Sequence, residues 1–89
     1  MKFNSEFVMR KIAGDVVIVP TGESGQYFNG LITLNGVGTF IWENAQKLET
    51  REEIVQKLLE FYEIDEETAR TDVNGFLDML KSKNILLEE

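Results

Sequence analysis

The sequence predicts an α+β fold in which a three-stranded antiparallel sheet is followed by a three-helix bundle, an arrangement like that of winged helix-turn-helix proteins. Two observations lead to this prediction. Short apolar runs rich in β-branched residues, separated by turn residues, occupy the first 34 positions. From Asn35 onwards, apolar residues recur at helical spacing behind residues that favour helix N-caps. The 89 residues suit a single domain spanning 1–89.

The strands come first. Apolar runs at Phe7–Ile12 and 16–20 predict a β-hairpin with a three-residue loop at 13–15. After a glycine-rich loop, residues 31–34 form the third predicted strand. An Asn-Gly pair just before it is also a hairpin signal, so Tyr27-Phe28 could be a short strand of its own.

Three helices follow, each opened by a capping signal. Asn35 is the predicted N-cap of the first, the Thr50 to Glu53 capping box opens the second, and Asp65 caps the third. Asn84 is expected to end the third helix. The predicted buried faces are Val37, Phe40, Ile41, Ala45 and Leu48, then Ile54, Val55, Leu58, Leu59 and Tyr62, then Ala69, Val73, Phe76, Leu77 and Leu80.

Two apolar features lie outside those faces. Trp42 is off the stripe of the first helix, which indicates that this helix is covered on more than one side. Residues 85–87 form an apolar tail that we expect to fold back onto the domain.

The composition excludes several kinds of chemistry. The chain has no Cys and no His, which removes disulfides, thiol nucleophiles, the usual zinc sites and imidazole acid–base catalysis. Neighbouring carboxylates occur at predicted helix starts, where the helix dipole explains them. The glycines at 36 and 38 lack the rest of a phosphate-binding motif and are interpreted as a tight turn into a closely packed helix. We therefore expect no catalytic residues, no metal and no cofactor.

The charge distribution argues against nucleic acid. The first 34 residues carry three basic and three acidic side chains, so the rest of the chain carries the whole net charge of −7. A DNA-binding helix usually presents clustered cations, whereas the third predicted helix is weakly acidic. No segment has the apolar run of a signal peptide or a membrane span, so we expect a cytoplasmic protein without membrane contact.

The third predicted strand is a candidate binding edge. In a three-stranded meander it would lie at the edge of the sheet, and it has no Pro, Lys or inward charge to block pairing. Such an edge can accept an extended peptide as a further strand. Two alternatives stay open from the pattern: the tail at 85–87 covers the edge, or the chain forms an edge-paired or strand-swapped dimer in place of a monomer.

Several elements occur together in a familiar order. A Leu-Asn pair at 34–35 ends the third strand, an Ile-Trp pair at 41–42 follows, and the chain closes with Lys-Asn-Ile-Leu-Leu at 83–87. In this order and spacing the sequence resembles the PqqD-like family, named for a protein of pyrroloquinoline quinone (PQQ) biosynthesis. Asn84 stands where that family commonly has glycine.

The resemblance implies a β3α3 peptide chaperone of ribosomally made, post-translationally modified peptide systems. Such a protein binds the leader of a precursor peptide between strand three and helix three. It then presents the peptide to a modifying enzyme, often a radical S-adenosylmethionine (SAM) protein, and needs no catalytic residues of its own. The alternatives are a protein–protein interaction adaptor of the same fold and a winged-helix DNA-binding regulator.

The resemblance also implies a set of binding residues. They are Leu31, Ile32, Thr33 and Leu34 on the strand, and Asp72, Gly75, Phe76 and Met79 on the helix. Gly75 is a poor helix former, and its lack of a side chain either allows close approach of the peptide or of the sheet or serves simple helix packing. Met79 either lines an adaptable groove or packs within the helices.

Overall fold

The predicted order of three strands and three helices is confirmed by the computed structural model, which describes residues 1–22 and 32–89. Two further short strands pair with each other outside the main sheet. The elements are β1 Lys2–Phe3, β2 Phe7–Ile12, β3 Asp15–Pro20, β4 Ile32–Leu34, α1 Gly36–Ala45, α2 Arg51–Phe61, α3 Glu66–Ser82 and β5 Leu86–Glu88. The question of a strand at Tyr27-Phe28 lies outside the described residues, as does Leu31.

The main sheet is an antiparallel meander with strand order β2-β3-β4. The β2–β3 pairing ends at Ile12 opposite Asp15, so the hairpin loop has two residues. The predicted three-residue loop is therefore wrong by one position. Ala13 has a φ of 52° and Gly14 a φ of 87°, and positive φ at both positions is the pattern of a type I′ turn, whose twist matches that of the flanking strands.

Each helix begins at the residue that follows its predicted N-cap. The Asn35 side chain accepts the backbone N–H three residues on at 2.7 Å, and Thr50 and Glu53 form a reciprocal capping box. Asp65 accepts the backbone N–H of Thr68 at 2.7 Å, and this hydrogen bond holds the pKa of Asp65 below its usual value. These bonds satisfy backbone donors that a helix N-terminus would otherwise leave free.

The end of α3 is a Schellman motif centred on Asn84. This residue has a φ of 59°, and its N–H donates to the Lys81 carbonyl at 3.2 Å. The Ile85 N–H donates to the Leu80 carbonyl at 2.9 Å, which completes the motif. Asparagine is the residue other than glycine that most readily adopts this left-handed conformation, so Asn84 ends the helix as predicted.

The apolar tail folds back onto the N-terminal segment. β5 pairs antiparallel with β1, with Lys2 opposite Glu88 and Phe3 opposite Leu86. The alternative in which the tail covers the edge of the main sheet is wrong, because β4 has only β3 as a neighbour among the described strands. Phe3 also contacts the ring of Trp42 edge-on, with centroids 5.2 Å apart. This contact confirms that α1 is covered on a second side.

All but one of the buried apolar side chains described form one cluster that joins the sheet, the three helices and the tail; Val17 of β3 is buried outside it. The cluster comprises Phe7, Ile18, Leu34, Ile41, Trp42, Ala45, Ile54, Val55, Leu58, Ala69, Val73, Leu77, Leu80, Ile85 and Leu86. No described polar or charged residue is buried. Within residues 1–22 and 32–89, no helix is both long and apolar enough to cross a bilayer.

An ion-pair network joins the segment after β5 to two helices. The Arg51 guanidinium lies 2.8 Å from Asp78 and donates to the side chain of Asn74 at 3.1 Å and to that of Glu89 at 2.7 Å. Lys81 adds a contact to Glu89 at 3.0 Å. The hydrogen bonds from Arg51 lower the pKa of Glu89 to about 2.

Candidate functional site

Among the described strands, β4 lies at the edge of the main sheet with one side unpaired. Its pairing with β3 places Leu34 opposite Val16 and Ile32 opposite Ile18, and no other described strand lies on its far side. A strand edge of this kind carries unpaired backbone N–H and C=O groups. The geometry therefore provides the hydrogen-bonding groups that an added strand needs.

A groove runs along this edge, with α3 as its opposite wall. One cavity of about 350 Å³ lies between β4 and the C-terminal half of α3. A second cavity of about 380 Å³ lies between the start of α1 and the middle of α3. Asn35, Gly38 and Phe76 line both, so the two cavities adjoin. We call them the strand chamber and the helix chamber of the β4–α3 groove.

The groove brings together seven of the eight predicted binding residues. The strand chamber is lined by Ile32, Thr33, Leu34 and Met79, the helix chamber by Asp72 and Gly75, and both by Phe76. Leu31 lies outside the described residues. Met79 is half-buried against the core while it also lines the groove, so both predicted roles apply. The assignment of these residues to peptide binding stays a prediction.

A side chain at Gly38 would crowd the N-cap of α1. A Cβ atom at position 38 would stand 3.2 Å from the Asn35 side-chain oxygen, 3.5 Å from the Phe76 ring and 3.6 Å from Leu34. The first distance is tighter than most real Cβ contacts, and the other two are ordinary van der Waals contacts, so this buried position is closely surrounded. The interpretation of this glycine as the start of a closely packed helix is confirmed.

Gly75 has the opposite surroundings. A Cβ atom at this position would meet no described atom within 4 Å, and the residue is exposed. The hypothesis that Gly75 lets the sheet approach α3 is therefore wrong for the part of the chain that the structure describes. Because it has no side chain, Gly75 leaves a flat area on the surface of α3 where that helix lines the helix chamber.

Five further residues of the helix chamber, Gly38 among them, were not predicted as site residues. Asn35 was interpreted as a cap and Val37 and Ile41 as core, and each of them also lines the chamber. Thr71 was not singled out, although it lies one helical turn before Gly75 and therefore on the same face. That spacing is the signal that could have identified it.

Asp72 is the one charged side chain that lines the described part of the groove. It is half-buried, and its side chain forms no hydrogen bond or ion pair with any other described residue. Its carboxylate therefore stands beside an otherwise neutral and largely apolar channel, with its hydrogen-bonding capacity unused.

Both cations of α3 are held by carboxylates. Arg70 donates to Glu52 at 2.9 Å and to Glu66 at 3.1 Å, and Lys81 contacts Glu89 at 3.0 Å. The hydrogen bond from Arg70 lowers the pKa of Glu52, and the pKa of Arg70 is raised in return. A helix whose cations are already paired offers little attraction to DNA phosphates.

The acidic residues that the structure describes do not converge on a metal site. Among the residues described, no group of three Asp or Glu side chains could hold a metal ion. Two of the paired carboxylates have structural partners instead, since Glu52 binds Arg70 and Glu53 closes the capping box of α2.

Comparisons with known proteins agree with this geometry. The family profile described as Coenzyme PQQ synthesis protein D (PqqD) matches residues 15–86. No curated protein sequence gives a significant match. Two solved structures match over almost the whole chain.

The first is described as TbiB1 in complex with the TbiA(beta) leader peptide. It is 28% identical, covers 100% of this chain and 98% of its own, and has a TM-score of 0.79. The second is a lasso peptide synthetase B1 complexed with the leader peptide. It is 20% identical, covers 98% of this chain and 96% of its own, and has a TM-score of 0.78, so it bears on the fold alone.

Proposed function

The chain belongs to the PqqD family, and on that basis we propose that it is a non-catalytic chaperone that binds the leader of a ribosomally made precursor peptide. The observation that carries the proposal is the open edge of β4 beside the β4–α3 groove. The leader adds to this edge as a further strand and lays its side chains against α3.

The shape of the groove supports strand addition in particular. Backbone groups of β4 supply affinity that does not depend on sequence, while the two chambers can distinguish side chains on one face of the added strand. Ile32 and Phe76 make the strand chamber largely apolar, which suits a buried aliphatic or aromatic side chain. The likeness to TbiB1, solved with a leader peptide, supports a leader peptide as the ligand.

Leader binding serves to bring the precursor to its modifying enzyme. The chaperone presents the bound precursor to a modifying enzyme, for which a radical SAM protein is the leading class. Cys and His are absent from the chain, so a peptide modification that relies on these side chains must take place on the partner.

The test uses peptides in which the backbone itself is altered. Candidate leaders are the TbiA(beta) leader and the leaders of short precursors encoded beside this chain's gene. Fluorescence anisotropy identifies the leaders that bind. In a leader that binds, single methyl groups are then placed on the backbone nitrogens of successive residues. Because hydrogen bonds to an edge strand alternate, N-methyl groups should abolish binding at every second position within the strand and be tolerated between them.

Nuclear magnetic resonance locates the contact. We expect the leader to shift the amide signals of Ile32, Thr33 and Leu34 together with those of Gly75 and Phe76. Shifts confined to α2, or uniform tolerance of N-methylation, would rule out strand addition at β4. Tight binding of a modifying enzyme with no response to any leader would instead favour the interaction adaptor.

A further inference from the structure

We propose that Asp72 makes the groove selective for a peptide that carries a lysine or arginine beside its strand-forming segment. This inference rests on the proposed function and specifies its ligand. The basic side chain enters the helix chamber and its head pairs with the Asp72 carboxylate, while an apolar side chain of the same peptide fills the strand chamber.

The Asp72 carboxylate is the source of the preference for a basic side chain. Asp72 lines the helix chamber without a partner among the described residues, and no described cation lines either chamber. A peptide that covered this carboxylate with an apolar or acidic side chain would desolvate it without supplying a hydrogen-bond donor. A lysine or arginine would replace that water with a charge-assisted hydrogen bond.

The walls of the helix chamber suit the rest of a basic side chain. Val37 and Ile41 on α1 and the ring of Phe76 on α3 form apolar surface next to the carboxylate. Lysine and arginine bury their methylene stems along such surface while the head reaches a polar group. Gly75 leaves the α3 wall smooth along this path, because it carries no side chain.

The positions of the two chambers predict the order of the peptide residues. The chain runs from Ile32 in the strand chamber towards Val37 in the helix chamber. All described strand pairs are antiparallel. A peptide that pairs antiparallel with β4 would run from the helix chamber towards the strand chamber. The basic residue therefore precedes the apolar residue in the peptide.

Their spacing follows from α3. Asp72 and Met79 are separated by about 10 Å at 1.5 Å per helical residue. An extended peptide covers that distance in about three residues, and side chains on one face of a strand recur every second residue. We therefore expect the basic and apolar residues to be roughly two or four positions apart.

The experiment selects binders from a displayed library of random linear peptides, without any assumed ligand. The wild-type chain should enrich lysine or arginine on the N-terminal side of an apolar residue. Asp72→Asn should lose this preference and bind the selected peptides about tenfold more weakly. Asp72→Lys should enrich Asp or Glu at the same position. Glu67→Gln removes one negative charge from the exposed start of the same helix and should behave like the wild type.

The outcomes separate this inference from the proposed function. If selected peptides shift the Thr33 amide but show no basic preference, or if Asp72→Asn leaves affinity and preference unchanged, the role of Asp72 is disproved while strand addition stands. The same holds if Glu67→Gln weakens binding as much as Asp72→Asn. If selection yields no peptide that shifts the β4 amides, strand addition itself is wrong, and the inference is wrong with it.

Discussion

We expect the substitution Gly75→Ala to make the protein more stable and Gly75→Leu to make it a weaker peptide binder. A Cβ atom at this position meets no described atom within 4 Å, so the free protein has room for it. Glycine in a helix interior is less favourable than alanine by about 0.5–1 kcal/mol. For a domain of this size, that gain raises the Tm by roughly 2–8 °C.

The cost of the leucine variant arises only in the complex. Leucine is nearly as good a helix former as alanine, so the free protein should keep its stability. Its side chain would project into the helix chamber, where a bound peptide must pass. Overpacking of about 1–3 kcal/mol would weaken binding by roughly 5- to 150-fold.

Circular dichroism melting curves and peptide anisotropy titrations measure the two effects separately. Glu67→Leu is the control, because it adds the same side chain to α3 outside the groove and should leave binding unchanged. A lower Tm for Gly75→Ala would show that the space beside Gly75 is occupied in the free protein. Full affinity in a well-folded Gly75→Leu variant would place the peptide elsewhere.

Three other substitutions test features outside the groove. Asn84→Ala should lower the free energy of unfolding, measured in urea, by about 1 kcal/mol, because alanine is disfavoured at positive φ. Asn84→Gly should lower it little or raise it. Equal losses in the two variants would argue against the Schellman motif. The pKa of Glu89 is lowered from 4.5 to about 2, so its ion pairs stabilise the fold above pH 4.5 and this contribution is lost as the pH falls through 2. Glu89→Gln should therefore cost about 1 kcal/mol or less at pH 7 and progressively less as the pH falls towards 2, and a pH-independent difference would exclude this cause. Phe3→Ala should shift the emission of Trp42, the single tryptophan, to longer wavelength and lower stability by roughly 1–3 kcal/mol; unchanged emission would mean that β1 does not cover that ring.

The helix starts could be predicted from the sequence because their hydrogen bonds close within a few residues. Asn35, Thr50 and Asp65 each reach a backbone N–H in the first turn that follows them. The signal and the interaction thus lie in the same short segment. Asn84 is similar, since its conformation ends α3 through bonds to the last turn of that helix.

The hairpin loop was mispredicted because only one of its two residues with positive φ is of a type that signals this conformation. The turn places Ala13 at a φ of 52°, a conformation that alanine adopts at a cost of roughly 1–2 kcal/mol. Sequence reasoning assigns positive φ to Gly14 alone, and a loop with one such residue is expected to be longer. The pairing of six residues on each strand then overrides the local preference of Ala13.

The β1–β5 pairing had no local signal. Strands of two and three residues are too short to show an alternating pattern, and their partners lie at opposite ends of the numbering. The one indication was indirect: Trp42 lay off the buried stripe of α1 and therefore needed a cover. The sequence showed that something covers this ring but did not show that Phe3 does.

The groove was predicted better on its strand and α3 walls than on its α1 wall. Residues with one evident structural role, such as Ile41 in the core and Asn35 as a cap, were not expected to line a cavity as well. Their second role depends on the angle at which α1 leaves β4, which the pattern of apolar residues does not encode. Phe76 was found because both its helical position and the resemblance indicated it.

The antiparallel pairing of β1 with β5 has a consequence for how the fold can be combined with others. Lys2 and Glu88 are paired partners, so their Cα atoms lie roughly 5 Å apart. A host protein could therefore carry this unit as an insertion in a surface loop, because the two junctions would lie side by side and span little more than the width of a hairpin. For the same reason, a short linker between the two positions, with new ends at the Ala13-Gly14 turn, should give a circular permutant with the β4–α3 groove intact.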